Sequence, residues 1–279
     1  MKRTVIRAEV LGFCMGVRRA MNKVKKAADT SGGERVSTFG PLIHNRQALE
    51  ELARKGVERI DYPEDFESGF VVIRAHGIPK STRELLSRCG ASVIDGTCPR
   101  VTRSMKLVER YGGKGWEVLL VGDPGHGEVQ AVSGYAENTK VVSSPEEAEE
   151  VELDGPTLVI AQTTIASEEY HRIIDILRKK RVKLEVIDSI CPATRERQQA
   201  LKELSEKVEA IVVIGGLNSS NTKRLHQLAL SFGKPSWHVE TPEQLPVEIK
   251  EYGTIGITAG ASTPDRMIDE VEAYLQNLD

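Results

Sequence analysis

Three cysteines, three histidines and one glutamate give this chain most of its capacity for chemistry. Cys98 and Cys191 close two copies of one pattern, Val93-Ile94-Asp95-Gly96-Thr97-Cys98-Pro99 and Val186-Ile187-Asp188-Ser189-Ile190-Cys191-Pro192, 93 residues apart. Cys14 ends a looser third copy, in which the apolar run 4–11 passes through Gly12 and Phe13 into the cysteine. Three thiolates brought to one point make a strong site for a soft metal. None belongs to a close Cys-x-x-Cys pair, the usual arrangement of a structural zinc with four ligands. Proline follows the cysteine in two copies, a feature of iron–sulfur ligation, and three cysteines on a four-iron cluster leave one iron free for a substrate. On residue types alone, zinc held by three cysteines and a histidine stays open.

Polar groups recur after each cysteine, at the ends of strand-like apolar runs. The first such station carries His44, then His126, then Ser219 with Asn221; the second carries His76, then Thr163, then Ser262. Imidazoles, hydroxyls and an amide around one cavity would donate to an anion, and helix N-termini add to the attraction, so a phosphate ester is the expected ligand. Plain helix capping by Ser219 and Ser262 is the simpler alternative. Glu128, two residues beyond His126, is the one acid at a station. A carboxylate facing an anion is costly unless it carries or relays a proton, so a general-acid role is expected, with Thr163 extending the relay. A solvated acid in a first helical turn is the alternative. His171, His226 and His238 lie within helix-like or strand-like stretches and read as ordinary.

These groups need elements that aim them. Runs such as 71–73, 118–121 and 211–214 read as buried strands, while Val17, Ala20, Met21, Val24 and Ala27 fall on one helical face. The alternation predicts an α/β fold of parallel sheets, whose ligands bind beyond the carboxyl ends of the strands. Three modules are expected: 14–97, 98–190 and 191–279, the last completed by the N-terminal strand within 1–13. Arranged about a pseudo-threefold axis, they would bring all stations to one central cavity. Tyr62-Pro63-Glu64, Ser144-Pro145-Glu146 and Thr241-Pro242-Glu243 read as three helix starts with Pro at the first position. Cys89 falls outside the repeat; it ends a helix-like segment, 81–88, with a Ser81/Glu84 capping box and a Gly90 stop, and reads as a packed thiol.

Composition limits the function classes. The 279 residues are 39% hydrophobic and 28% charged, as in globular rather than disordered proteins. A net charge of −3 gives no reason to expect nucleic acid or a membrane surface as partner. No run approaches the roughly 18 apolar residues that span a bilayer, and the first residues lack a signal-peptide core. A cytoplasmic protein is expected, in which cysteines serve as ligands, nucleophiles or buried thiols rather than in disulfides.

Taken together, Gly12-Phe13-Cys14-x-Gly16-Val17, Ala75-His76-Gly77, Thr97-Cys98-Pro99, Gly125-His126-x-Glu128, Gln162-Thr163-Thr164, Cys191-x-Ala193-Thr194, Ser219-Ser220-Asn221 and Thr258-Ala259-Gly260-Ala261-Ser262 resemble the LytB/IspH family. Its members are hydroxymethylbutenyl diphosphate reductases, and the resemblance spans residues 14–265. It implies one 4Fe-4S cluster per chain on Cys14, Cys98 and Cys191, with the fourth iron open to substrate. It implies a diphosphate pocket lined by His44, His76, His126, Ser219, Ser220, Asn221 and Ser262, with Thr163 beside the substrate hydroxyl and Glu128 delivering the proton. The implied reaction is the two-electron reductive dehydroxylation of (E)-4-hydroxy-3-methylbut-2-enyl diphosphate to isopentenyl and dimethylallyl diphosphate, last in the methylerythritol phosphate route. Its electrons come from a ferredoxin- or flavodoxin-type donor. Gly127 departs from the family pattern, which has proline or another bulky residue there; a looser helix start is expected. Two other classes stay in view: an open-iron hydro-lyase that consumes no electrons, and a non-catalytic metal or redox sensor.

Overall fold

The computed structural model describes residues 3–278. Among them, twelve strands form three four-stranded sheets in which every pairing is parallel. The strands are β1 (Thr4–Arg7), β2 (Val36–Phe39), β3 (Val57–Ile60), β4 (Phe70–Ile73), β5 (Ser92–Asp95), β6 (Glu117–Val121), β7 (Thr139–Val142), β8 (Thr157–Ala161), β9 (Leu184–Ile187), β10 (Ala210–Ile214), β11 (Ser236–Val239) and β12 (Thr254–Ala259). The helices are α1 (Met15–Thr30), α2 (Arg46–Arg54), α3 (Lys80–Arg88), α4 (Pro99–Gly112), α5 (Gly127–Ser133), α6 (Pro145–Glu150), α7 (Ser167–Leu177), α8 (Pro192–Ser205), α9 (Ser220–Ser231) and α10 (Asp265–Gln276).

One strand order serves all three sheets: β3-β2-β4-β5, β7-β6-β8-β9 and β11-β10-β12-β1. In the third, the outer place beside β12 is filled by the chain's first strand, with Thr4 opposite Thr254 and Arg7 opposite Ile257. Each outer strand therefore leads into a cysteine and then a helix: β1 to Cys14 and α1, β5 to Cys98 and α4, β9 to Cys191 and α8. The chain divides into two compact units. The first comprises Met1–Arg18, His44–Glu51 and Pro192–Asp279 and contains the third sheet; the second comprises Arg19–Ile43 and Leu52–Cys191 and contains the other two.

Alternation along buried strands sorts their side chains to opposite faces. Val118 and Leu120 of β6 pack with Leu158 and Ile160 of β8 against Val101, Met105 and Val108 of α4. Leu119 and Val121, with Val159 and Ala161, pack instead against Ile173 and Leu177 of α7. A fully buried Val or Leu of this kind contributes roughly 1.5–3 kcal/mol. The i, i+4, i+7 spacing of Val101, Met105 and Val108 thus fixes the roll of α4, and with it the residue at its N-cap, Cys98.

Three local expectations change. Only Ser144-Pro145-Glu146 begins an α-helix; Pro63–Asp65 and Pro242–Gln244 are single 3₁₀ turns. In each, the next residue returns to extended backbone, so no second turn forms. α3 starts at Lys80 behind Pro79, which has no side chain able to cap, so Ser81 lies inside the first turn rather than capping it. Cys89 is exposed, not packed. It stands at the C-terminal end of α3, whose one buried residue is Leu86, and Gly90 turns the chain away at φ 80°.

Candidate functional site

In the second unit, the repeated aspartates explain the repeated pattern. Asp95 Oδ1 accepts the N–H of Thr97 at 2.9 Å, and Asp188 Oδ1 accepts that of Ile190 at 3.1 Å. Each is an Asx turn that stops its strand and sets the following cysteine at a helix start. Burial pushes the Asp95 carboxyl up, but hydrogen bonds from Thr97 and Arg83 outweigh this and hold it below its ordinary range. The N–H of Cys98 donates to Ala75 O at 3.0 Å, and that of Cys191 to Thr163 O at 2.9 Å. Each cysteine is thereby tied to the strand-end station next to it, Cys98 beside His76 and Cys191 at Thr163.

The rings of His76 and His126 meet edge to face with centroids 5.1 Å apart. His126 is the N-cap of α5, and its Nδ1 accepts the N–H of Glu128 at 3.2 Å. A neutral His126 therefore carries its proton on Nε2, leaving that edge as a donor. Glu128 is 2% exposed, which excludes the solvated-acid reading. Its Oε1 accepts the Thr163 N–H and its Oε2 the Thr163 hydroxyl, both at 2.7 Å. An acid, a hydroxyl and the backbone of a cysteine are thus connected in series.

In the first unit, Cys14 is held by its N–H to Ala261 O at 3.1 Å, and its Sγ accepts the N–H of Val17 at 3.4 Å. Ser219 caps α9, its Oγ accepting the N–H of Thr222 at 3.3 Å. The Ser262 hydroxyl donates to His44 O at 3.2 Å and lies 3.5 Å from Ser219 Oγ. A Cβ on Gly216 would stand 2.3 Å from His44 O, so only glycine lets these segments meet. Asn221, in the first turn of α9, is buried, and its Nδ2 makes no hydrogen bond. The capping role expected as the simpler alternative is real for Ser219, yet it leaves the amide of Asn221 and the Ser262 hydroxyl close to a helix N-terminus, where an anion is favoured.

All four cysteines are free thiols, and Cys14, Cys98 and Cys191 are half-buried where Cys89 is exposed. Each of the three stands directly before a helix, and one sulfur already accepts a backbone N–H, as thiolate ligands of iron–sulfur clusters do. This donor set suits a thiolate-held cluster. The LytB protein family model matches residues 5–276. The chain belongs to the LytB family. It is 47% identical to the 4-hydroxy-3-methylbut-2-enyl diphosphate reductase of Treponema denticola, over 97% of this chain and 98% of that one. With that of Oleidesulfovibrio alaskensis it shares 41%, over 98% and 99%. Among solved structures it is similar to the E-1-hydroxy-2-methyl-but-2-enyl-4-diphosphate reductase from Plasmodium falciparum, with a TM-score of 0.93, 25% identity and coverage of 99% of this chain and 89% of that one. It is likewise similar to an (E)-4-hydroxy-3-methyl-but-2-enyl diphosphate reductase structure described as the terminal enzyme of the non-mevalonate pathway, with a TM-score of 0.72, 36% identity and coverage of 99% and 100%. Among the described residues, no helix is long and apolar enough to cross a membrane.

This LytB chain also uses residues that motif reading passed over. Arg197 is 3% exposed, and its guanidinium donates to Gly12 O at 2.5 Å and Ala193 O at 2.9 Å, bracing the loop that carries Cys14. Its signal was present: Arg197 shares the apolar stripe of α8 with Leu201 and Leu204, an improbable place for a cation without acceptors. Gln162 accepts the N–H of Asp123 and donates to Thr164, fixing the loop before His126. His238 Nε2 lies 2.8 Å from Gly215 O, and Glu240 accepts the N–H of Leu217, so two side chains hold the approach to Ser219. Burial holds the His238 imidazole below its ordinary value, more strongly than the Gly215 carbonyl raises it. Gly127, expected to loosen its helix start, does not: α5 begins there, capped by His126. The space above it is taken by the Arg74 guanidinium, 3.0 Å from where a Cβ would stand. Arg74 Nε also donates to Gly77 O at 3.0 Å, and burial lowers its pKa from the ordinary arginine value.

Proposed function

We propose that this LytB chain is a cytoplasmic 4-hydroxy-3-methylbut-2-enyl diphosphate reductase, the last enzyme of the methylerythritol phosphate route. The (E)-allylic alcohol diphosphate takes up two electrons and two protons, losing its hydroxyl as water and giving isopentenyl or dimethylallyl diphosphate. Cys14, Cys98 and Cys191 hold one 4Fe-4S cluster per chain, with its fourth iron left to the substrate. When bound, that group supplies single electrons and a Lewis-acidic iron for the allylic hydroxyl. A ferredoxin- or flavodoxin-type protein provides the electrons.

The observation that carries this reading is the hydrogen-bonded series Glu128, Thr163, Cys191. Ionised, Glu128 only accepts, and the Thr163 hydroxyl points at it. Once protonated, Glu128 reverses that bond: its O–H donates to Thr163 Oγ1, whose own proton turns to the departing hydroxyl. The 2.7 Å separation suits such a transfer. His44, His76, His126, Ser219, Ser220, Asn221 and Ser262 bind the diphosphate, with Asn221 Nδ2 offering donors that no protein acceptor occupies. Iron and acid-labile sulfide on anaerobically purified protein test the cofactor. About four of each per chain are expected, with a visible band that bleaches on reduction. Tightly bound zinc without sulfide, persisting after anaerobic reconstitution with iron, would overturn the reading.

A further inference from the structure

In the second unit an open hollow of about 580 Å³ lies beside Cys98, and Thr97 and Pro99, the neighbours of that cysteine, form part of its wall. The remaining wall is strongly cationic: Arg19 and Lys23 from α1 face Arg103, Lys106 and Arg110 from α4, against one carboxylate, Asp95. That carboxylate is already engaged by Arg83 at 2.9 Å and by the N–H of Thr97, and Lys23 donates to the Asp95 carbonyl at 2.6 Å. Arg19, Arg103, Lys106 and Arg110 form no ion pair among the described residues. Arg100 extends the row towards Cys98, so that positions 100, 103, 106 and 110, all exposed, make one stripe opposite the buried face of α4. In a chain of net charge −3, so many unpaired cations on one face are a large local departure.

We propose that this basic face of α1 and α4 is the docking surface for an acidic one-electron carrier protein, of flavodoxin or ferredoxin type. The inference rests on the reductase reading, since it takes Cys98 as a cluster ligand. Two observations favour a protein over a small anion. The stripe runs for about 15 Å along the helix, longer than a single phosphate group can bridge. Its cations also stand in solvent and lack the buried, convergent donors of a small-molecule site. Exposed charges of this kind steer diffusional encounter and give salt-dependent association rather than tight binding. Each encounter delivers one electron and releases the oxidised carrier; two encounters supply one turnover. The proximity to Cys98 gives the electron a short entry path through the helix start.

The test compares the wild-type holoenzyme with Arg103→Glu/Lys106→Glu/Arg110→Glu, and with Arg172→Glu/Lys207→Glu as a charge-reversal control on exposed positions elsewhere. Turnover is driven either by enzymatically reduced flavodoxin or by reduced methyl viologen, a small cation that needs no basic landing site, and the Kd of oxidised flavodoxin is measured across salt concentrations. The triple variant is expected to keep its iron content and viologen-driven turnover within about twofold. Its flavodoxin-driven kcat/KM should fall about 10- to 100-fold, with a weaker Kd and a flattened salt dependence. The control should match wild type in all readouts. Unchanged flavodoxin-driven kinetics in the triple variant overturns the docking surface while leaving the reductase reading intact. So does loss of inorganic diphosphate binding with flavodoxin kinetics unaltered, which assigns the face to a small anion. Absence of viologen-driven turnover in the wild type would remove the reductase reading itself.

Discussion

Two stations of the molecule handle their polar groups in opposite ways. At Glu128 every acceptor is matched from within: both carboxylate oxygens take hydrogen bonds from Thr163, and the N–H of Glu128 is taken by His126. At Asn221 the reverse holds, for a buried amide nitrogen goes without an acceptor beside Ser219 and Ser262. An unmatched buried donor costs about 1–3 kcal/mol, a cost that an acceptor supplied by a ligand would offset. On the proposed reading the two stations differ in role: the closed one would store and pass a proton by exchanging partners, and the open one would take an acceptor from outside.

The largest effect should come from breaking the closed station. Glu128→Gln keeps both contacts to Thr163, as amide oxygen to N–H and amide N–H to hydroxyl, but carries no acidic proton. Turnover should drop by about 10²- to 10⁴-fold with substrate affinity changed only a few fold, measured by steady-state kinetics and equilibrium binding. Near-normal turnover would take Glu128 out of the mechanism. Next in size, Asn221→Leu removes the unmatched donors at similar volume. Substrate KM should rise about 10- to 100-fold, the loss of one charge-assisted hydrogen bond, while the urea midpoint stays equal or increases. A lower midpoint would mean that the amide serves the fold instead of a ligand.

Smaller effects test what supports each station. If Arg74 occupies the space above Gly127, then Gly127→Ala should be near neutral or unfavourable in the wild type. In an Arg74→Ala background it should stabilise, giving a coupling of about 0.5–1 kcal/mol in a double-mutant cycle of denaturation. Strict additivity would dissociate the two residues. The smallest effect concerns His238, whose folded pKa lies below its unfolded value because it is buried. The unfolded chain then binds more protons, so stability falls as the pH drops below the unfolded value of about 6.5, down to the depressed folded value. His238→Gln should weaken this dependence between pH 7.5 and 5.5; identical urea midpoint shifts in both proteins would contradict it.

Much of the architecture was legible because it repeats. The Val-Ile-Asp-x-x-Cys-Pro copies announced two strand ends, and the aspartate proved to be the turn that ends each. A first helical turn was one of two readings for Glu128, but its N-cap, His126, was not foreseen, and burial of the acid depends on Thr163, 35 residues away, which no local pattern reveals. The same limit hid His238, whose role lies in a cross-strand contact to Gly215. Arg74 was invisible for a related reason, since its partner Gly127 marks only an empty Cβ position. Cys89 misled because cysteine is so often buried, whereas the end of a short helix with one buried residue has little core to offer it.

A reductase, unlike a hydro-lyase, consumes electrons in step with loss of the hydroxyl. Anaerobically purified protein should therefore be given (E)-4-hydroxy-3-methylbut-2-enyl diphosphate and reduced methyl viologen, with viologen oxidation and diphosphate products followed together. The reductase reading predicts two viologens oxidised for each isopentenyl or dimethylallyl diphosphate formed, and no reaction without the reductant. Substrate conversion that proceeds without oxidising viologen would contradict it and mark the chain as a hydro-lyase built on the same fold.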